Sequence, residues 1–234
     1  MKKISIIIPF YDEEKNILRL TRDLIKVITE IKNYKFDIFL IDDCSIDQGK
    51  NLLKTFLLEQ NLIDVNLIEN DKNIGKSYSL KKVAKIVQSD YSILMDGDYQ
   101  DDPKDIIKFL NKIEEGYDLV IGNQNKNISK FKSFCIFLYS QIISLFLNIK
   151  DIKTLSPQFL LIKNNYFKDI NFKKNDHRYI AIGAIVKGVK YSEISVNYFK
   201  RKYGVSKFSK FKMFYAFFEI FDLIYRIKKD KFYF

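Results

Sequence analysis

The chain has 234 residues, of which 47% are hydrophobic, and a formal net charge of +11. That length suits one large domain with a real core, or one domain plus a short extension, and the apolar share excludes a disordered chain. Two cysteines, Cys44 and Cys135, exclude a disulfide framework and fit a reducing compartment. The opening Met1-Lys2-Lys3 runs straight into a strand-like segment and lacks the long apolar stretch of a secretory signal. No segment reaches the roughly 20 apolar residues that span a bilayer. The nearest, Phe134 to Ile149, is interrupted by Ser140, Gln141, Ser144 and Asn148. The positive surplus points to nucleic acid, an anionic membrane surface or phosphorylated substrates, and no nucleic-acid recognition motif accompanies it.

The first 122 residues alternate regularly. Apolar runs at 4–9, 36–41, 63–68, 91–95 and 117–121, rich in Ile, Leu and Val, predict strands buried on both faces. Helical spacing fills 13–32, 47–60, 76–88 and 103–115, with Pro103 suited to a first turn. This alternation predicts an α/β fold, a mostly parallel sheet with helices on both faces. Ligands of such sheets bind beyond the carboxyl ends of the strands. The chemistry is therefore sought after residues 9, 41, 68, 95 and 121. Further along, the pattern predicts a helix at 131–149, a strand at 158–162, a helix at 175–187, a strand at 189–198 and a last helix at 208–228. The last helix carries Lys212, Glu219, Asp222, Arg226 and Lys229 at helical spacing among many aromatic residues. Two units follow: a domain over 1–205 and an amphipathic extension over 206–234, for a membrane interface or for oligomerisation.

The loop after the fourth strand, Asp96-Gly97-Asp98-Tyr99-Gln100-Asp101-Asp102-Pro103, crowds four carboxylates together. Such a cluster calls for a cation, and its oxygen ligands suit Mg²⁺ or Mn²⁺ bridging to a diphosphate. Asp96, Asp98 and Gln100 are the candidate ligands, Gly97 permits close backbone approach, and Asp101 or Asp102 would cap the next helix. After the second strand, Asp42-Asp43-Cys44-Ser45-Ile46-Asp47 offers acceptors for a base or ribose, or caps at Ser45 or Asp47. The first loop, Pro9-Phe10-Tyr11-Asp12-Glu13-Glu14, offers a ring for base stacking and acids at a helix start, where Asp12 and Glu13 would serve equally as caps.

Taken together, these loops resemble family-2 inverting glycosyltransferases of the GT-A fold. Ile6-Ile7-Ile8-Pro9-Phe10-Tyr11-Asp12-Glu13 resembles their opening, Ile41-Asp42-Asp43-Cys44-Ser45-Ile46-Asp47 their D-D-x-S-x-D, Asn73-Ile74-Gly75-Lys76 their N-x-G-K/L loop, and Asp96-Gly97-Asp98-Tyr99-Gln100 their D-x-D-x-Q. Three later segments are similar to the polyprenyl-phosphate branch, which includes dolichyl-phosphate mannose synthase: Asp151 to Phe159, Asp176-His177-Arg178-Tyr179, and Arg201-Lys202-Tyr203-Gly204-Val205-Ser206-Lys207. By position the resemblance implies that Pro9, Tyr11, Glu13, Ile41, Asp43, Asp96 and Gly97 hold the nucleotide sugar. Asp96, Asp98 and Gln100 would hold Mg²⁺ or Mn²⁺, and His177, Arg178, Arg201 and Lys207 would face acceptor or donor phosphate. Asp98 and Asp151 are the implied catalytic residues. One departure stands out: Ile121-Gly122-Asn123-Gln124 falls where the family has G-x-R, with Lys126 or Lys130 as substitutes.

The implied reaction is inverting transfer from a UDP- or GDP-sugar to a polyprenyl phosphate, undecaprenyl or dolichyl, at the cytoplasmic face of the membrane. A saccharide acceptor is the enzymatic rival, and a degenerate non-catalytic membrane-binding relative is the non-enzymatic one.

Overall fold

A computed structural model of the chain describes residues 1–59, 64–124, 130–149, 152–203 and 210–233, the side chains of 130–133 and 210–217 excepted. The first strand, β1 (Lys3–Phe10), is buried on both sides: Ile4, Ile6, Ile8 and Phe10 enter one core, and Ile7 the other. In β2 (Lys35–Asp42), Ile38 and Leu40 face the first core and Phe39 and Ile41 the second. This two-residue alternation between two apolar layers explains the near-continuous hydrophobic runs.

The helices α1 (Glu14–Glu30), α2 (Gly49–Leu58) and α4 (Ile106–Glu114) cover the first face, through Ile17, Leu20 and Leu24, Leu53, and Phe109 and Ile113. On the second face lie α3 (Lys76–Ala84), α5 (Lys130–Leu147), α6 (Asn164–Lys168), α7 (Ile180–Val186) and α8 (Lys210–Lys228). The other strands are β3 (Asp64–Glu69), β4 (Tyr91–Leu94), β5 (Leu119–Gln124), β6 (Leu160–Lys163) and β7 (Tyr191–Val196). Among the described residues they form one seven-stranded sheet in the order β3-β2-β1-β4-β6-β5-β7. The sheet is parallel except at β6, which is antiparallel to β4 and β5.

The expected elements are present with modest shifts. Gly116, at φ 80, closes the turn after α4, and β5 starts two residues later than expected but runs on to Gln124, paired with Val196 of β7. The helix expected at 175–187 divides into a 3₁₀ turn at Asp176–Arg178 and α7, and the short α6 was not anticipated. Part of the extension expected over 206–234 packs on the domain. Ile220, Leu223 and Ile224 are buried in the second core. Phe232 packs so closely on Gly183 that a Cβ there would lie 2.3 Å from its ring. No described helix is long and apolar enough to cross a membrane.

Candidate active site

The loops at the carboxyl edge of the sheet are tied to one another more than to their own helices. Asp12, at φ 53, accepts the Ile46 N–H at 2.9 Å and donates its own N–H to Ser45 at 3.0 Å. Asp47 accepts the Glu14 N–H at 2.8 Å and the Gly49 N–H at 3.0 Å, while Glu14 accepts the Gln48 N–H at 3.0 Å. The cap of α1 is thus supplied by the neighbouring loop. Glu13 itself makes no side-chain cap hydrogen bond and instead accepts from Asn16 at 2.6 Å. Asp43 is buried, and its two oxygens accept the N–H groups of Ile74 and Gly75 at 2.9 and 2.8 Å, with Asn70 Nδ2 at 3.0 Å. The D-D-x-S-x-D loop therefore holds the N-x-G-K loop in place.

The acidic loop after β4 lies against the end of β1. Gly97 has no room for a side chain, since a Cβ would sit 2.7 Å from Phe10 Cβ. The glycine is needed for this strand-to-loop approach. Asp96 is met by the Lys76 ammonium and accepts from Gln158 Nε2 at 3.0 Å. Asp98, largely buried, is met by the Arg201 guanidinium, which also lies 3.6 Å from Glu13. Burial first, then the Asp96 carboxylate, pushes the Asp98 carboxyl above its ordinary value, against the opposing pull of Arg201. Gln100 turns its side-chain Nε2 to the Tyr198 hydroxyl and, at 3.3 Å, to the Phe199 carbonyl, while its main-chain carbonyl accepts the Phe199 N–H at 2.8 Å. Gln100 thereby anchors the segment that delivers Arg201. Asp102 caps the 3₁₀ turn at Pro103–Asp105 by accepting the Lys104 N–H at 3.0 Å.

The donor set suits a hard divalent ion. Two adjacent carboxylates offer oxygen ligands, and each already attracts a tethered cation where positive charge is wanted. Among the described residues no group of three or more His, Cys, Asp or Glu surrounds one point, so a divalent ion held here would rest on one or two carboxylates and draw its other ligands from elsewhere. That is the usual arrangement for Mg²⁺, which keeps several waters and binds through one or two carboxylates plus phosphates.

The remaining expected residues are distributed as follows. Pro9 is buried at the end of β1, opposite Ile41, whose side chain is part of the second core. Tyr11 stands at the loop, where the Asp12 carboxylate raises its hydroxyl above the ordinary phenol value. His177 was expected as a phosphate-facing cation. Burial, then the charges of Lys76 and Arg178, lowers the imidazole well below its ordinary pKa. His177 is bonded to Ser77 Oγ through Nδ1 at 2.9 Å and through its main-chain N–H at 3.0 Å. Arg178 is paired with Glu219 of α8 at 3.1 Å. Gln124, in place of the expected Arg, donates to Asp101. Asp151, Lys207 and Lys126, and the side chain of Lys130, lie outside the described residues.

Sequence reasoning did not assign Lys76 or Gln158 to this cluster. Lys76 stood in the N-x-G-K loop, and its place beside Asp96 depends on how α3 docks. A cleft of about 570 Å³ opens beside Tyr99 on the α1 flank, lined by Asp23, Lys26, Ile107 and Phe199 among others. It includes none of Asp96, Asp98, Glu13 and Arg201, so it is not the acidic site.

Known proteins resemble this chain in sequence and in fold. The profile described as glycosyl transferase family 2 matches residues 5–136. An uncharacterized protein of Methanocaldococcus jannaschii is 34% identical over 82% of this chain and 87% of its own length. Undecaprenyl-phosphate 4-deoxy-4-formamido-L-arabinose transferase of Salmonella choleraesuis is 26% identical over 89% of this chain, which spans only 63% of that longer protein. Among solved structures, Staphylococcus aureus TarS 1–349 in complex with UDP aligns with a TM-score of 0.67 at 18% identity, covering 96% of this chain and 65% of that one. Glucosyl-3-phosphoglycerate synthase from Mycobacterium tuberculosis, in complex with Mn²⁺, UDP-glucose and phosphoglyceric acid, aligns with a TM-score of 0.64 at 12% identity, covering 86% and 72%. At such identities the structures show the fold, here of GT-A type.

Proposed function

The chain belongs to glycosyl transferase family 2, and on that premise we propose that it moves a sugar from a UDP- or GDP-sugar to a polyprenyl phosphate with inversion at the anomeric carbon. The observation that carries the reading is Arg201. It comes from beyond β7, yet its guanidinium lies on Asp98 and near Glu13. A cation from the segment similar to the polyprenyl-phosphate branch thus stands at the acids of the donor loop, where an acceptor phosphate has to approach a donor diphosphate.

The nucleotide would rest on Pro9, Tyr11, Glu13, Asp43 and the main chain at Ile41. Asp96 and Asp98, with Gln100 as a third candidate, would hold Mg²⁺ or Mn²⁺. Such an ion supplies neutralisation of the charge that grows on the leaving diphosphate. An oxygen of the acceptor phosphate attacks the anomeric carbon in line, and the bond to the nucleoside diphosphate breaks with its electron pair. A phosphate monoester has its second pKa near about 6, so it is largely dianionic at neutral pH and needs little help from a base. It does need cations against its repulsion from the donor, and Arg201 and Lys207 are placed by motif to supply them through charge-assisted hydrogen bonds. Asp151 would orient the acceptor. In this reading His177 contributes as a neutral hydrogen-bonding ring.

Membrane contact is part of the proposal. Phe134, Phe137, Leu145 and Phe146 of α5 are exposed, as are Phe218, Phe221 and Tyr225 of α8, and Lys228 Nζ lies 5.2 Å from the Phe146 ring centre. These aromatic faces, with the positive net charge, suit a peripheral position on an anionic, cytoplasmic leaflet. The same faces would serve a homo-oligomer.

The test is a panel of UDP- and GDP-sugars with Mn²⁺ and polyprenyl phosphate, reading nucleoside diphosphate release and labelled lipid. Release with one donor and label in the lipid are expected. No release with any donor despite bound metal would sink the enzyme reading, and label in a saccharide would move the acceptor to the rival class.

A further inference from the structure

Lys76 is held on both sides by its backbone neighbours. Ile74 and Gly75 donate their N–H groups to Asp43 at 2.9 and 2.8 Å, and Gly75, at φ 84, turns the chain into α3. One residue beyond, Ser77 Oγ accepts the His177 N–H at 3.0 Å and meets the imidazole at 2.9 Å. The main chain carrying Lys76 is thus fixed, while its four-carbon stem keeps rotatable bonds and a compact charge. From this fixed point the ammonium reaches Asp96. Lys76 is 25% and Asp96 18% exposed at the side chain, so the pair is partly withdrawn from solvent and weakly screened.

We propose that Lys76 is a tethered counter-ion that exchanges partners: it neutralises Asp96 until a divalent ion takes that carboxylate, and then binds the diphosphate of the donor. The inference rests on the nucleotide-sugar reading above. One carboxylate oxygen cannot serve an ammonium and a divalent ion at the same point, and the ion brings twice the charge. An ion held there would recruit the phosphate oxygens of the donor, and that would bring negative charge within reach of the displaced ammonium. A lysine, with three rotatable donors on a point charge, suits that role. The exchange leaves neither the two acids nor the lysine unpaired at either stage.

The experiment compares the wild-type protein with Lys76→Met and Lys76→Arg. Mn²⁺ is titrated alone by electron paramagnetic resonance, then UDP and GDP are titrated by calorimetry at saturating Mn²⁺, and urea melts establish that the variants are folded. Lys76→Met is expected to bind Mn²⁺ alone about three-fold or more tighter, because a competitor is gone. It should bind UDP or GDP about ten-fold or more weaker, because a phosphate partner is gone. Lys76→Arg should retain most of the nucleotide affinity. A merely structural lysine would weaken both ligands together, and that result, or unchanged Mn²⁺ affinity in Lys76→Met, overturns the exchange. If the wild-type protein binds neither nucleotide with Mn²⁺, the donor reading itself fails. Normal wild-type binding with an indifferent Lys76→Met removes only the exchange.

Discussion

At Arg201 one guanidinium joins a segment beyond β7 to the acids of the first half, and removing it exposes what those acids cost each other. Arg201→Ala leaves Asp98 buried beside Asp96 with its guanidinium partner gone, so turnover of labelled donor should fall about 100-fold, the scale of losing one charge-stabilising group. Arg201→Lys should recover little, because a point charge does not reproduce the planar fork. Gly97→Ala forces its Cβ against Phe10 Cβ at 2.7 Å. It should lower stability by about 1–3 kcal/mol in urea melts, as overpacking does, and weaken Mn²⁺–nucleotide binding with it. His177 has a folded pKa well below its ordinary 6.5. The unfolded chain therefore binds more protons as pH falls through that value, and stability is lost on the acid side. Between pH 7.5 and 5.5 the wild-type melting temperature should drop more than that of His177→Gln. The motif made position 177 visible in the sequence, but the lowered pKa of the ring comes chiefly from burial, with smaller shares from Lys76, which only folding brings near it, and from its chain neighbour Arg178.

At the scale of elements, the sheet was legible because each strand carries apolar residues toward two cores, and the order of strands was not. β6 enters antiparallel between β4 and β5. A short apolar run such as Leu160–Ile162 has no feature that sets its direction. The helix caps illustrate the same gap. Asp12, Glu13 and Asp47 all suit a cap by composition, yet α1 is capped from the loop before α2. The attachment of α8 gives a clear energetic test. Arg226 and Asp176 are both almost fully buried and meet at 2.6 and 2.9 Å, with Asp222 also bonded to Arg226 at 2.7 Å. Arg226→Ala leaves a buried carboxylate unpaired and should destabilise the fold by about 3–5 kcal/mol in urea. The double variant Asp176→Asn/Arg226→Met should lose clearly less than the sum of the two single changes, because neither retains an orphaned charge.

For the whole molecule, the aromatic faces of α5 and α8 and the net charge of +11 make a common prediction. Phe137→Asp combined with Phe221→Asp should reduce co-sedimentation with anionic vesicles about five-fold or more, since apolar insertion and lipid attraction both weaken. Mn²⁺–nucleotide affinity should stay unchanged, because neither ring belongs to the acidic site. Unaltered vesicle binding would remove these faces from the membrane proposal. By itself the sequence determined the α/β class, the strand–helix alternation, the family resemblance and the loops that carry chemistry, because periodicity and short motifs are local properties of the chain. Tertiary structure alone decided that Lys76 and Arg201 meet Asp96 and Asp98, that His177 is bonded to Ser77, and that α8 is keyed into the core by Arg226 and Asp176. Those contacts join residues far apart in the chain, and burial and charge take their values only once the fold has brought them together.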